Sequence, residues 1–192
     1  MKGAESILVS LFFAGFNAVK KKRSQKNYRN PQIDSKLRFE RTRSEARLLS
    51  KAKLGNVPTP TVLGVFDSTL ILTRLVGKRP SMTPSLCFES GKLLGQLHLL
   101  NIIHGDFTPA NLIYGYDSNS KTKKKQLFVI DFGLGFISNE IEHKAVDYLS
   151  MKSQVIHKEE FKNGYKMTFT NWNSIFQKTK KIEDRVRYSN SF

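Results

Sequence analysis

Hydrophobic and polar positions change period several times along this chain, and each change marks an expected element. Residues 7–19 are almost wholly apolar, with Gly15 as punctuation. That stretch of about 13 residues is shorter than the ~20 a bilayer-spanning helix needs. No small-x-small cleavage pattern accompanies it, so it reads as two buried strands of a hairpin rather than a leader or an anchor. Residues 23–32 are polar, contain Pro31, and read as a loop. Over residues 35–54, Leu37, Ala46, Leu48, Leu49 and Leu54 stand among many charges with no Gly or Pro, the pattern of an amphipathic surface helix that Gly55 closes.

Residues 61–66 and 69–75 are short β-branched runs separated by Asp67-Ser68 and predict an antiparallel pair. Two prolines make residues 77–84 a linker. Leu93, Leu94, Leu97 and Leu100 give residues 88–100 helical spacing, and Ile102-Ile103 then leads as a strand into a polar loop. Residues 112–114 and 127–130 predict two more short strands around a lysine-rich tip at 117–125. From Glu142 onward the pattern is mostly helical and ends in a basic tail, and there is no internal repeat. Strands, one helix, strands and then mostly helix predict an α+β chain: a β-rich part with one main helix over residues 1–77, and a small, mostly α part over residues 78–192.

Composition adds a partner class. Thirty-two Lys and Arg against 16 Asp and Glu give a net charge of +16, which favours polyanions such as nucleotides, RNA or acidic protein faces, while solvation by self-repulsion is the plainer reading. Fourteen Phe among 192 residues supply material for a core. A single cysteine, Cys87, excludes an internal disulfide and any zinc-finger-type cysteine site, and fits a reducing compartment. The side chain itself is expected to be buried and inert.

The chemistry concentrates in one constellation. His104-Gly105-Asp106-Phe107-Thr108-Pro109-Ala110-Asn111 places an Asp and an Asn on one loop, and Asp131-Phe132-Gly133 follows the apolar run 127–130. Phosphoryl transfer needs a positioned metal, cancelled phosphate charge and a carboxylate to orient the attacking oxygen. Mg2+ takes hard oxygen ligands, which Asp131 and Asn111 offer, and Asp106 can accept the nucleophile's proton. Each piece alone is weak, since an Asp-Phe-Gly is commonly a turn and a lone His is commonly structural. Together they form the catalytic half of the protein-kinase signature.

The other half requires a Lys on a strand and a Glu on a helix. Ala18-Val19-Lys20-Lys21 suits the strand, with Lys21 chosen for the phosphates and Lys20 and Lys22 as competitors, since a one-residue slip flips the face. Glu45 is the matching helical carboxylate; the plainer alternative is a solvated charge paired with Arg38 or Arg41. A glycine-rich loop is nearly absent: only Lys2-Gly3-Ala4-Glu5-Ser6 stands in the right place, where backbone amides could cover phosphates. No Walker A pattern exists, because Gly91-Lys92 lacks its partners.

These residues resemble the small atypical kinase of the KEOPS complex, a relative of the Rio kinases. Besides the signature residues, the likeness runs through Lys26-Asn27-Tyr28-Arg29-Asn30-Pro31, Arg41-Thr42-Arg43-Ser44-Glu45-Ala46-Arg47 and Lys144-Ala145-Val146-Asp147. The resemblance implies a minimal bilobal protein-kinase-like fold and a partner-stimulated ATPase and Ser/Thr kinase using ATP and Mg2+. It implies service in the threonylcarbamoyl-adenosine modification of tRNA. Its partners would be a threonylcarbamoyltransferase-type subunit, a small accessory subunit and tRNA, in the cytoplasm or the nucleus and not in a membrane.

By the same resemblance Lys21 and Glu45 pair, Asp106 is the base, Asn111 and Asp131 bind metal, and Gly3, Ala4 and Glu5 lie over the phosphates. The chain departs from the family at His143, within Glu142-His143-Lys144, and in its tail, where Arg185 and Arg187 would contact tRNA. Only about nine residues separate Gly133 from Glu142, leaving little segment on which a peptide substrate could dock, so water, the chain itself or a docked partner would receive the phosphate. Two other classes compete. A small-molecule phosphotransferase would need a larger C-terminal part, and an RNA-binding scaffold would follow from the charge and from the lysines at 121–125. Trp172 is read as core or a partner contact, and Lys178, Lys180 and Lys181 as a solvated helix face.

Overall fold

A computed structural model describes residues 6–26 and 28–189, the side chains of 187–189 excepted. In chain order its elements are β1 (Ser6–Phe13), β2 (Phe16–Arg23), α1 (Pro31–Leu54), β3 (Val62–Phe66), β4 (Thr69–Thr73), β5 (Leu75–Lys78), α2 (Pro84–Leu99), β6 (Ile102–Ile103), β7 (Leu112–Asp117), β8 (Gln126–Val129), β9 (Phe136–Ile137), α3 (Ile141–Lys152), α4 (Lys158–Thr168) and α5 (Trp172–Ser189). Packing sorts them into two units: residues 1–78 with 113–134, and residues 79–112 with 135–192.

In the first unit an antiparallel sheet runs in the order β1-β2-β4-β3, and a second sheet runs β5-β7-β8. Phe13 pairs with Phe16, so a two-residue turn joins β1 to β2. Ala14 and Gly15 both have positive φ, 48° and 85°, the conformation a tight hairpin of this hand requires. The expectation that these strands are buried fails. Val9, Phe12 and Phe16 are exposed, and the buried residues of β2 are Ala18, Lys21 and Arg23. The reason is that β1 is an edge strand and α1 lies against β3 and β4.

The helix starts earlier than its apolar periodicity suggested. Asn30 caps it by accepting from the Gln32 amide at 3.0 Å, and Pro31, expected in a loop, takes the first helical position, where its missing N–H costs nothing. Ala46, Leu48, Leu49 and Ala52 form its buried face. Gly55 closes it as expected, though the left-handed residue there is Asn56, at φ 61°.

The second unit is helical. Here α2 and α4 meet at glycines: a Cβ on Gly91 would strike the Phe161 carbonyl, and one on Gly164 would strike the Phe88 carbonyl. That approach brings Leu94, Leu97, Phe161 and Tyr165 into a core closed by Tyr148, Met151 and Ile175. The short pair β6–β9 ties Ile102 to Ile137 and Ile103 to Phe136. Among the described residues no helix is long and apolar enough to cross a membrane.

Candidate functional site

Alternation along β2 decides which lysine turns inward. Lys20 and Lys22 are exposed, whereas Lys21 and Arg23, two residues apart, point to the buried face. Lys21 Nζ donates to Glu45 Oε1 at 2.7 Å and to Asp131 Oδ1 at 2.7 Å. Arg23 Nη2 donates to Glu45 Oε2 at 2.6 Å. Glu45 is 1% exposed, so the surface pairing with Arg38 or Arg41 does not occur; Arg38 binds Asp34 instead, at 2.7 Å. Glu45 is thus held out of water by two cations, the condition under which a charge can be buried, while the Asp131 side chain stays 47% exposed.

Asp131 follows β8 in a left-handed conformation, φ 61°, which Asp tolerates better than bulkier residues. Burial alone would raise its pKa. The Lys21 ammonium, the Gly133 amide at 3.2 Å and the field of Arg23 outweigh that and hold the carboxyl below its usual range. Gly133 leaves room for this cluster: a Cβ there would lie 2.9 Å from Asp131 Oδ1 and 3.0 Å from Arg23 Nη2, side-chain ends that would have to shift. Beside Lys21, Glu45 and Asp131 lies a cavity of about 170 Å3 whose apolar wall includes Leu8, Val19, Leu72, Leu75, Ile113 and Ile130. Gly3, Ala4 and Glu5, expected over phosphates, lie outside the described residues.

In the second unit the loop after β6 is fixed from behind. Asp147 of α3, 1% exposed, accepts from the amides of His104 at 2.6 Å and Gly105 at 2.9 Å. Gly105 takes φ 79°, a conformation that suits glycine. His98 Nε2 stands 3.5 Å from Asp147 Oδ2, and its Nδ1 lies 2.7 Å from the Tyr165 hydroxyl. The Asp106 amide donates to His104 Nδ1 at 3.3 Å, and the Asn111 amide group donates to Asp106 Oδ2 at 2.7 Å and to its backbone oxygen at 2.8 Å. Asp106 is exposed.

The donors present suit a hard divalent cation. All the hydrogen bonds to the Asp131 carboxylate among the described residues fall on Oδ1, leaving Oδ2 to a ligand. Asn111 directs Nδ2 at Asp106, which leaves its amide oxygen as a second hard donor in its own unit. Among the described residues no group of three or more His, Cys, Asp or Glu could by itself cage a metal.

Arg23, His98 and Asp147 were not chosen from the sequence. Arg23 had a signal, since it shares the parity of Lys21 on one strand; Asp147 had only its place in the quoted Lys144-to-Asp147 run; His98 had none. In the tail, Arg185 is exposed and lies 3.9 Å from Glu142, which Lys178 also contacts at 2.7 Å, so Lys178 is paired rather than merely solvated. The side chain of Arg187 lies outside the described set. Trp172 is half-buried, tilted against Phe176 with Lys166 over its ring at 4.5 Å. Cys87 is buried, as expected, and burial pushes its thiol pKa up.

No family profile matches the sequence. The Rio2 kinase from Chaetomium thermophilum, solved as an ADP/Mg2+-phosphoaspartate complex, superposes with TM-score 0.68 over 98% of this chain and 70% of that one. At 14% identity this is a likeness of fold alone: the α+β architecture is Rio2-kinase-like. A probable bifunctional tRNA threonylcarbamoyladenosine biosynthesis protein from Methanocaldococcus jannaschii is 32% identical over an alignment of 202 positions that covers 97% of this chain and 36% of that protein. This chain therefore spans about a third of such bifunctional relatives. A probable serine/threonine-protein kinase BUD32 homolog from Archaeoglobus fulgidus is 35% identical over 182 residues. Because that match takes in 90% of this chain and 89% of the relative, the chain belongs to the BUD32 family of serine/threonine-protein kinase homologs.

Proposed function

We propose that this chain is an Mg-ATP-dependent phosphotransferase of the atypical Ser/Thr protein-kinase type, working mainly as a partner-stimulated ATPase in the KEOPS complex that supports threonylcarbamoyladenosine modification of tRNA. The observation that carries the enzymatic part is the buried Lys21 ammonium, set 2.7 Å from both Glu45 and Asp131. A lysine committed to a helix carboxylate on one side and to the aspartate of Asp-Phe-Gly on the other is poised to hold phosphates. The tRNA part rests on the names of the relatives, among them the Methanocaldococcus protein.

In this reading residues 1–77 form the nucleotide-covering lobe and residues 78–192 the catalytic lobe. The apolar cavity beside Lys21 takes the adenine. Glu45, itself held by Arg23, keeps Lys21 in place, and Asp131 and Asn111 would hold Mg2+, which would supply neutralisation of phosphate charge. Asp106 accepts the proton of the attacking oxygen as its bond to the γ-phosphorus forms and the bond to the β-bridging oxygen breaks. Gly3, Ala4 and Glu5 cover phosphates, and Arg185 and Arg187 contact tRNA. The short stretch after Gly133 favours water, the chain itself or a docked subunit as acceptor.

The test is release of phosphate and self-phosphorylation from Mg-ATP, for the wild type and for Asp131→Ala and Asp106→Ala, alone and with a threonylcarbamoyltransferase-type subunit and tRNA. Slow turnover that both substitutions abolish and the partner accelerates is expected. A silent wild type under every condition would replace the enzyme with a non-catalytic scaffold.

A further inference from the structure

A cavity larger than the one beside Lys21 opens elsewhere on the first unit. It is an open groove of about 830 Å3 between the outer face of α1 and the β3–β4 turn. It adjoins a second hollow of about 330 Å3, with which it shares Phe39 and Asp67. From this surface we infer a binding site for an RNA strand, with Lys22, Lys36, Arg43 and Arg47 meeting phosphates and the rings of Phe39 and Phe66 offered to bases. This rests on the tRNA reading above only for the choice of RNA as ligand; the surface itself comes from the geometry.

Charge is the first argument. Among the described residues none of Lys22, Lys36, Arg43 and Arg47 has an ion-pair partner within 4.0 Å. Asp67 is the one carboxylate among the lining residues. Glu40 shares the helix but lies outside both linings, and the nearby Asp34 is fully buried and already held by Arg38 at 2.7 Å and Arg29 at 3.8 Å. A net positive groove follows, of the kind that tracks a polyanionic backbone.

Spacing is the second. Positions 36, 43 and 47 fall on one face of α1, and at ~1.5 Å per residue they span roughly 16 Å, a line of cations rather than a point. Aromatic exposure is the third. Phe39 is 40% exposed and Phe66 54%, and Arg43 lies over the Phe39 ring at 5.1 Å. Phe66 also meets Phe13 edge-on, so both rings are partly covered, but their open portions beside cations suit stacking of unpaired bases, which an acidic peptide does not offer. The lysine-rich tip at 117–125 has charge as well, but the hollow it lines also holds the Asp117 carboxylate and draws in two lysines, Lys53 and Lys124, from separate elements.

The experiment measures binding of a labelled tRNA transcript and of a single-stranded 20-mer against salt concentration. It compares wild type, the groove variant Lys36→Gln/Arg43→Gln/Arg47→Gln, Phe39→Ala, and the tip variant Lys121→Gln/Lys123→Gln/Lys124→Gln/Lys125→Gln. The groove variant is expected to lose about tenfold or more in affinity, and its log–log salt slope should fall by about 2, from roughly 0.7 per phosphate contact removed. Phe39→Ala should weaken the single strand about tenfold, and the tip variant should stay within about twofold of wild type. Full affinity in the groove variant, or equal competition by polyglutamate, overturns the assignment. Phosphate release is assayed in parallel: turnover retained with RNA binding lost fails neither reading, RNA binding without turnover in the wild type fails only the ATPase, and turnover with unaltered RNA binding in the groove variant fails only the groove.

Discussion

The Arg23 guanidinium meets Oε2 of Glu45 at 2.6 Å, the carboxylate oxygen that Lys21 does not use. One strand therefore grips the helix with two side chains of the same parity, and Glu45 stays neutralised if Lys21 turns toward phosphates. The two cations do not contribute alike. Glu45→Gln leaves Arg23 buried without a carboxylate and is expected to cost about 3 kcal/mol or more. Arg23→Met keeps the volume and leaves Lys21 on Glu45, so a loss of about 1 kcal/mol is expected. Urea unfolding at pH 7 checks both, and equal losses would show that the carboxylate is not shared.

A second expectation concerns acid. Burial holds the His98 imidazole below its ordinary value of 6.5, against the opposing pull of Asp147. As pH falls below 6.5 the unfolded chain binds a proton there that the folded chain refuses, so stability drops with pH until the folded value is passed. His98→Gln should flatten this limb. The readout is the difference in urea midpoint between about pH 7.5 and pH 5.5, smaller in the variant; equal slopes would mean that the folded protein accepts the proton.

The helix crossing of the second unit gives a third. A Cβ at Gly164 has no side chain to displace, since it would meet the backbone carbonyl of Phe88. Backbone yields only by moving a helix, so Gly164→Ala is expected to cost about 3 kcal/mol despite alanine's better helix propensity. Gly15→Ala is the comparison: nothing lies within 4 Å of its Cβ, and only the φ of 85° opposes it. Thermal unfolding should rank Gly164→Ala well below Gly15→Ala.

Some of this was legible in the sequence and some was not, for physical reasons. The loop from His104 to Asn111 and the Asp-Phe-Gly were readable because their chemistry is local in sequence. Lys21 could be narrowed only to three neighbours, since parity becomes visible once β2 pairs with Leu70 of β4 opposite Lys21. Burial of β1 was misread because apolar content does not say whether anything covers a sheet face. Contacts between distant residues left no trace: Asn119 brackets both backbone groups of Asn17, at 2.9 and 3.0 Å, across 102 positions. The start of the lysine-rich tip is fastened there and by Thr73 donating to Asp117 at 2.7 Å.

The last prediction separates a group that acts from one that positions. Asp106 is exposed and Asp147 is buried behind it, with both Asp147 oxygens accepting loop amides. If Asp106 takes the nucleophile's proton, Asp106→Asn should lower turnover by about 10²-fold or more while nucleotide affinity stays within about twofold. Asp147→Asn replaces one acceptor with a donor facing the amide of His104 or Gly105. The loop then shifts, and a misplacement of about 1 Å is worth roughly 10² in rate. The two variants should thus look alike in turnover and differ in stability, since only Asp147→Asn strands a buried amide, at about 1–3 kcal/mol. Phosphate release, nucleotide titration and urea unfolding on both variants make the comparison. Unchanged turnover in Asp106→Asn would remove it as the base, and unchanged stability in Asp147→Asn would show that the loop holds its shape without that carboxylate.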